Sequence, residues 1–123
     1  MATHKKTGDL GEQIAIAYLR KIGHVINDTN WRFEQFEIDI VSTVDDMIVF
    51  TEVKSRSGNE FGKPEDAVTE AKQRFLGKAA DEYIYKKKYE GDIRFDIISI
   101  EFKKNKREAP EILHLEDAFF PIE

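Results

Sequence analysis

Two runs dense in apolar residues, Phe36 to Val44 and Met47 to Ser55, flank the polar pair Asp45-Asp46. Both stretches are rich in β-branched and aromatic residues, and the acidic pair favours a turn, so the pattern predicts a β-hairpin. With a two-residue loop Val44 faces Met47. Counting outward from there, Asp39 faces Glu52 and Glu37 faces Lys54. Upstream, Thr7 to Gly23 has helical spacing, with Leu10, Ile14, Ala17, Tyr18 and Ile22 as its stripe and Ile16 and Leu19 widening it. Thr7 or Asp9 would cap this helix and Gly23 would end it. His24 to Phe33 is expected to be a first strand, opening with Val25 and Ile26 and reaching Trp31.

After the hairpin, Ser57 to Gly62 reads as a loop with two glycines. A second helix is expected from near Pro64, with Glu65 and Asp66 in its first turn and Val68, Ala71, Phe75, Ala79 and Tyr83 as its stripe. Gly77 would allow close packing, and Lys86 to Lys88 would suit the helix C-terminus. Ile93 to Phe102 is apolar on both alternations, which predicts a central strand. Lys103 to Pro110 is a polar loop, and Glu111 to Leu115 adds an edge strand. The order helix, three strands, helix, strand predicts an α/β layered fold with a mixed sheet and a crossover before the Ile93 strand. The whole chain, 1–123, is read as one domain, with its core over about 8–102 and an extension over 103–123.

The hairpin register has a chemical consequence. Directly opposed side chains on a sheet have Cβ atoms about 4.5–5.5 Å apart, where like charges destabilise. Asp39 and Glu52 should repel unless a cation lies between them, and Mg²⁺ or Mn²⁺ favours carboxylate oxygens. Lys54 emerges on the same face as Glu52. Glu12 borders the apolar side of the first helix, where it either complements the helix dipole or reaches toward a metal on the sheet. The competing reading is a solvated hairpin face with a Glu37–Lys54 ion pair.

Composition bounds these readings. The 123 residues are 41% hydrophobic, with nine Phe, and 35% charged, enough for one soluble core. There is no cysteine, which excludes disulfides and thiolate zinc sites and fits a cytoplasmic setting. His4, His24 and His114 lack metal-ligand spacing. The longest apolar run, Ile14 to Leu19, is too short to span a bilayer, and Met1 to Lys6 leads into no signal-peptide core. Net charge is −5, but the acids of 108–123 carry the surplus. Tyr85 to Arg107 is locally basic, with Lys86, Lys87, Lys88, Lys103 and Lys104 as candidates for phosphate contact.

Several segments together resemble one family. Gly8 to Glu12, Asn30-Trp31-Arg32, Glu37-Ile38-Asp39, Phe50 to Arg56, Phe61-Gly62 and Phe95-Asp96 resemble the YraN family of small bacterial proteins, over about residues 8 to 100. That family is similar to the PD-(D/E)xK nucleases, with their restriction-endonuclease-like three-layer fold, and to Holliday-junction resolvases. The superfamily's acid followed by Glu-x-Lys matches Asp39 and Glu52-Val53-Lys54, and the resolvase-type helix glutamate matches Glu12. One departure is Phe36, where the family usually has glycine; a bulky residue there would narrow the approach of a substrate backbone.

The resemblance implies a Mg²⁺- or Mn²⁺-dependent DNA endonuclease. Asp39, Glu52 and the Val53 carbonyl would hold the ion, Lys54 would orient or deprotonate the water, and Glu12 would add a ligand. Glu37 and Gln73 would support the site from behind. A two-fold branched substrate would imply a homodimer. Two other functions compete: a nucleic-acid-binding module without cleavage, and an interaction domain that uses Glu116 to Pro121.

Overall fold

The computed structural model describes residues 2–57 and 62–121. Of the loop expected at Ser57 to Gly62, Gly58, Asn59, Glu60 and Phe61 lie outside the described residues. Helix α1 spans Ala2–Lys21, strands β1, β2 and β3 span Val25–Phe33, Phe36–Val44 and Met47–Ser57, and a 3₁₀ turn spans Pro64–Ala67. Helix α2 spans Glu70–Lys86, and strands β4 and β5 span Asp92–Phe102 and Glu111–Leu115. The five strands form one mixed sheet in sequence order. Only β3 and β4 run parallel, with α2 in the crossover between them, and the other neighbours are antiparallel. One apolar core lies between the sheet and α2, and a second between the sheet and α1. This is the expected three-layer, restriction-endonuclease-like α/β architecture. Among the described residues no helix is long and apolar enough to cross a membrane.

The turn chemistry behaves as expected. Asp45 and Asp46 both have positive φ, 49° and 59°, the backbone of a two-residue hairpin turn that matches the twist of its strands. Helix α1 stops at Gly23, whose φ of 101° lets His24 N donate to Leu19 O at 2.9 Å and Gly23 N to Arg20 O at 3.1 Å. Its start differs from expectation: the helix begins at Ala2, so Thr7 and Asp9 lie inside it. Nothing between Ala2 and Lys6 breaks a helix, and a capping preference alone does not prevent extension. At α2 the 3₁₀ turn occupies the expected start at Pro64, and the α-helix begins after Thr69, whose side chain accepts from Lys72 N at 3.2 Å.

Both helix stripes hold only in part: Leu19 on the first helix and Val68, Ala79 and Tyr83 at the second are buried as expected. Leu10 and Ala17 in α1 and Ile22 just past it are exposed, and the buried line is Gly11, Ala15 and Leu19. A Cβ on Gly11 would overlap the Ser55 side chain, coming within 3.2 Å of its Cβ, so the bare glycine lets α1 touch β3. Counting hydrophobic residues hides a face made of small ones. In α2 the buried line is Leu76, Ala79, Ala80 and Tyr83, with Ala71 exposed and Phe75 half-buried. Gly77 does allow close packing, against the tail: its Cβ would lie 2.7 Å from Pro121 Cβ.

Gly11→Ala therefore sets a helix-propensity gain of about 1 kcal/mol against overpacking that costs about 1–3 kcal/mol. The expected net result is a lowered Tm in a thermal melt. An unchanged or raised Tm would show that the α1–β3 contact is loose.

Candidate metal and phosphodiester site

The hairpin register holds from Val44↔Met47 to Ile40↔Thr51 and stops there. Strand β2 turns over at the next residue: Ile38 packs in the α2-side core and Ile40 in the α1-side core, although residues two apart on a regular strand share a face. Strand β1 twists at the same level, where Asn30 has φ of 50°. Meanwhile β3 continues along β4 as far as Ser57↔Phe102. The stretch Glu52 to Lys54 thus runs past its β2 partner and leaves a gap between the two strands. Asp39 fills it: Val53 N donates to Asp39 Oδ2 at 2.8 Å, in place of the carbonyl that a continued ladder would have offered. The Val53 carbonyl faces the same gap, because a strand residue directs its N–H and C=O to one side.

Asp39 and Glu52 do meet, through this split rather than as an opposed ladder pair. Burial and the Glu52 charge push the Asp39 carboxyl up to about 8, with Glu12 adding to the rise and the Val53 hydrogen bond opposing it. Burial also raises Glu52, against the pull of Lys72. Glu52 Oε1 takes an ion pair from Lys72 Nζ at 2.6 Å. Its Oε2 is buried with no hydrogen-bond partner. Glu12 approaches from α1, its pKa raised by burial and by neighbouring Glu37, Asp9 and Glu52, while a hydrogen bond from Asn30 holds it back. Asn30 Nδ2 donates to both Glu12 Oε2, at 3.1 Å, and Glu37 Oε1, at 2.8 Å.

Lys54 follows Glu52 on β3, is exposed, and has no ion pair or hydrogen bond among the described residues. The Glu37–Lys54 pair of the competing reading is not formed. Glu37 is held instead by Asn30 and by Arg32 Nε at 3.4 Å, because β2 curls toward β1 beyond Ile40. Gln73 turns back to its own helix entry, donating to Val68 O at 3.3 Å, so it braces the 3₁₀ turn rather than the carboxylates. Phe36 stacks on Phe75 of α2 with ring centroids 3.9 Å apart, which directs the bulky ring onto the helix.

The basic candidates lie elsewhere. Lys86 Nζ sits 5.8 Å from the Trp31 ring centroid and 3.8 Å from Glu82, and Lys87 lies over Tyr83. Fourteen residues of helix separate Lys86 from Lys72, a span of roughly 20 Å at the usual rise. Lys88 follows the helix end; Lys103 is paired with Glu111 at 2.6 Å, and Lys104 is exposed beyond β4. The fold also assembles a second polar cluster that residue spacing does not reveal. Fully buried Asp96 accepts from Arg94, from Asp117 N and at 2.7 Å from His114, which Tyr18 meets at 3.1 Å. Burial raises the Asp96 carboxyl, but these hydrogen bonds outweigh it and hold it below its usual value. Every Asp96 oxygen is engaged, so the cluster locks β5 and the tail onto β4.

The gap fits a hard divalent cation in its chemistry. Two half-buried carboxylates, Asp39 with its pKa raised by burial and by Glu52, and Glu52 with its pKa raised by burial, are oxygen donors short of positive charge. Among the described residues no three His, Asp or Glu side chains already surround one point. An ion here would rest on Asp39, Glu52 and the Val53 carbonyl, with Glu12 reaching it through water. Two residues of the site escaped the sequence pattern. Lys72 shares the first turn of α2 with residues that read as surface, and its role depends on the helix phase set by Thr69. Asn30 carried a signal in its residue type, since asparagine tolerates positive φ.

Comparison with known proteins covers the whole site. The profile of the uncharacterised protein family UPF0102 matches residues 11–100, a span that contains Glu12, Asp39, Glu52, Lys54 and Lys72. A UPF0102 protein of Flavobacterium psychrophilum is 42% identical over 120 residues, 98% of each chain. One of Clostridium perfringens is 41% identical over 117 residues, 94% of this chain and 95% of its own. One of Alkaliphilus oremlandii is 39% identical over 119 residues, 94% of this chain and 99% of its own.

Proposed function

The chain belongs to the UPF0102 (YraN) family, and from the site its residues build we propose that it is a metal-dependent nuclease that hydrolyses phosphodiester bonds in DNA, branched or repair intermediates included. One observation carries this reading: the Asp39–Glu52 pair is half-buried in the strand gap with both pKa values raised, and Lys54, two residues along β3 from Glu52, has no ion pair among the described residues. A bound Mg²⁺ or Mn²⁺ would neutralise charge on the phosphate and lower the pKa of water. Asp39, Glu52 and the Val53 carbonyl would hold it, and Glu12, kept in place by Asn30, would steady an intervening water. Lys54, exposed on β3, would orient the attacking water and offset phosphate charge. Lys86 to Lys88, at the far end of α2, would meet the backbone at a second place on the same duplex.

The test is a cleavage panel of single-stranded, duplex, flap and four-way-junction DNA, run with Mn²⁺, with Mg²⁺ and with EDTA. Cleavage of at least one substrate is expected with metal and none with EDTA. Salt-dependent binding without cleavage in every condition would replace the nuclease with a nucleic-acid-binding module. Neither binding nor cleavage would favour an interaction domain.

A further inference from the structure

The Lys72–Glu52 contact is unusual for a surface ion pair. Its two partners are unequal: the Lys72 side chain is 44% exposed, whereas that of Glu52 is 12% exposed. The lysine projects from the first turn of α2 and places its ammonium 2.6 Å from one oxygen of a carboxylate whose other side is turned to Asp39. Thr69 fixes the first turn from which Lys72 projects. The ammonium therefore supplies part of the positive charge that the gap lacks, and it does so against an oxygen that a metal would need.

We propose that Lys72 is a built-in counter-cation of this site: it closes the carboxylate pair in the metal-free protein, weakens metal binding by competing for Glu52, and on displacement turns to a phosphate oxygen of the bound nucleic acid. The inference rests on the metal-dependent reading above. Its physical basis is that a partly buried carboxylate is costly without a cation, so whichever cation is present is held, and a second must displace it. Lysine suits the role because its ammonium is a compact charge on a flexible stem, able to leave one oxyanion for another a few ångströms away. Being nearly half exposed, the lysine is left, once displaced, within reach of a phosphodiester arriving from solvent.

Calorimetric Mn²⁺ titration of the wild type, Lys72→Met and Lys72→Gln tests the first half, with circular-dichroism melts to confirm that the variants fold. Methionine keeps most of the stem and removes the charge. Both variants are expected to bind Mn²⁺ about tenfold more tightly than wild type, equivalent to about 1.4 kcal/mol. Equal or weaker binding in both variants overturns the counter-cation role and makes Lys72 a brace that holds Glu52 in place. No Mn²⁺ binding by any of the three proteins overturns the metal reading itself, and this inference with it. The second half is read by DNA affinity in Ca²⁺ and in EDTA. Lys72→Met is expected to lose several-fold affinity in Ca²⁺ only. Equal affinities in Ca²⁺, or an equal loss in both conditions, overturns the transfer to phosphate.

Discussion

Lys54→Ala is expected to reduce cleavage by about 10²- to 10⁴-fold, the range that one positioned proton-transfer group contributes, while binding Mn²⁺ as the wild type does. Lysine is not a metal ligand, and Lys54 is exposed without a partner among the described residues, so its loss should disturb neither the ion nor the fold. Glu52→Ala is expected to lose both activity and Mn²⁺ binding, because one of the two half-buried carboxylates of the gap is gone. Its structural cost should be small: the side chain removed holds a raised pKa and one unpartnered oxygen, and Lys72 is left half in solvent. The contrast between the variants is what discriminates. Activity and Mn²⁺ affinity lost together in Lys54→Ala would make Lys54 part of the binding framework. Activity retained in Glu52→Ala would remove the carboxylate pair from the chemistry.

The parts of this structure that depend on neighbours in sequence were legible. The Asp45-Asp46 turn, the Gly23 helix stop, the β3-to-β4 crossover and the edge strand at Glu111 follow from turn residues, spacing and alternation. The two helix faces were less legible, because a hydrophobic count overlooks residues buried for being small. Gly11, Ala15 and Ala80 carry little apolar surface and still define the contact lines. Closeness of backbones, not transfer of large side chains, selects those positions.

The site shows the same division. The hairpin register brought Asp39 toward Glu52, but they meet for a reason that the register does not contain. A regular ladder would have carried Glu37 on to Lys54. The chain instead breaks pairing after Ile40, where β2 turns over and Asn30 adopts positive φ on β1. That break gives Asp39 a backbone donor, diverts Glu37 to Asn30 and Arg32, and leaves Lys54 unpaired. Lys72 became visible only once Thr69 fixed the helix phase, since its partner lies 20 positions earlier on another element. Long-range pairings of this kind have no local signature. The Asp96 network is a further case, with Tyr18, Arg94 and His114 drawn from three elements.

Asp39→Asn is expected to stabilise the metal-free protein, increasingly so as pH rises from about 4 to about 8. Burial and Glu52 lift the folded-state pKa of Asp39 from 3.8 to about 8. Below the unfolded value both states carry the proton, and the carboxyl has no pH-linked cost. Between the two values the unfolded chain has released a proton that the folded protein keeps. Stability then falls with rising pH by up to about 1.4 kcal/mol per unit, and the loss levels off above the folded pKa. Asparagine removes this titration, and its amide oxygen can still accept from Val53 N while its NH₂ faces Glu52. The variant should therefore match wild type near pH 4 and exceed it by about 2–4 kcal/mol near pH 8, below the full linkage value because water entering the gap relieves part of the charge. Denaturant titrations at several pH values measure the difference. Mn²⁺ should act in the opposite sense, because holding it requires Asp39 without its proton. At a hundredfold excess over Kd it should add about 2.7 kcal/mol to wild type and much less to Asp39→Asn. A loss of about 2 kcal/mol or more by Asp39→Asn at pH 8 without metal would instead make the carboxylate a structural acceptor for Val53, with the strand gap built around that hydrogen bond rather than around an absent cation.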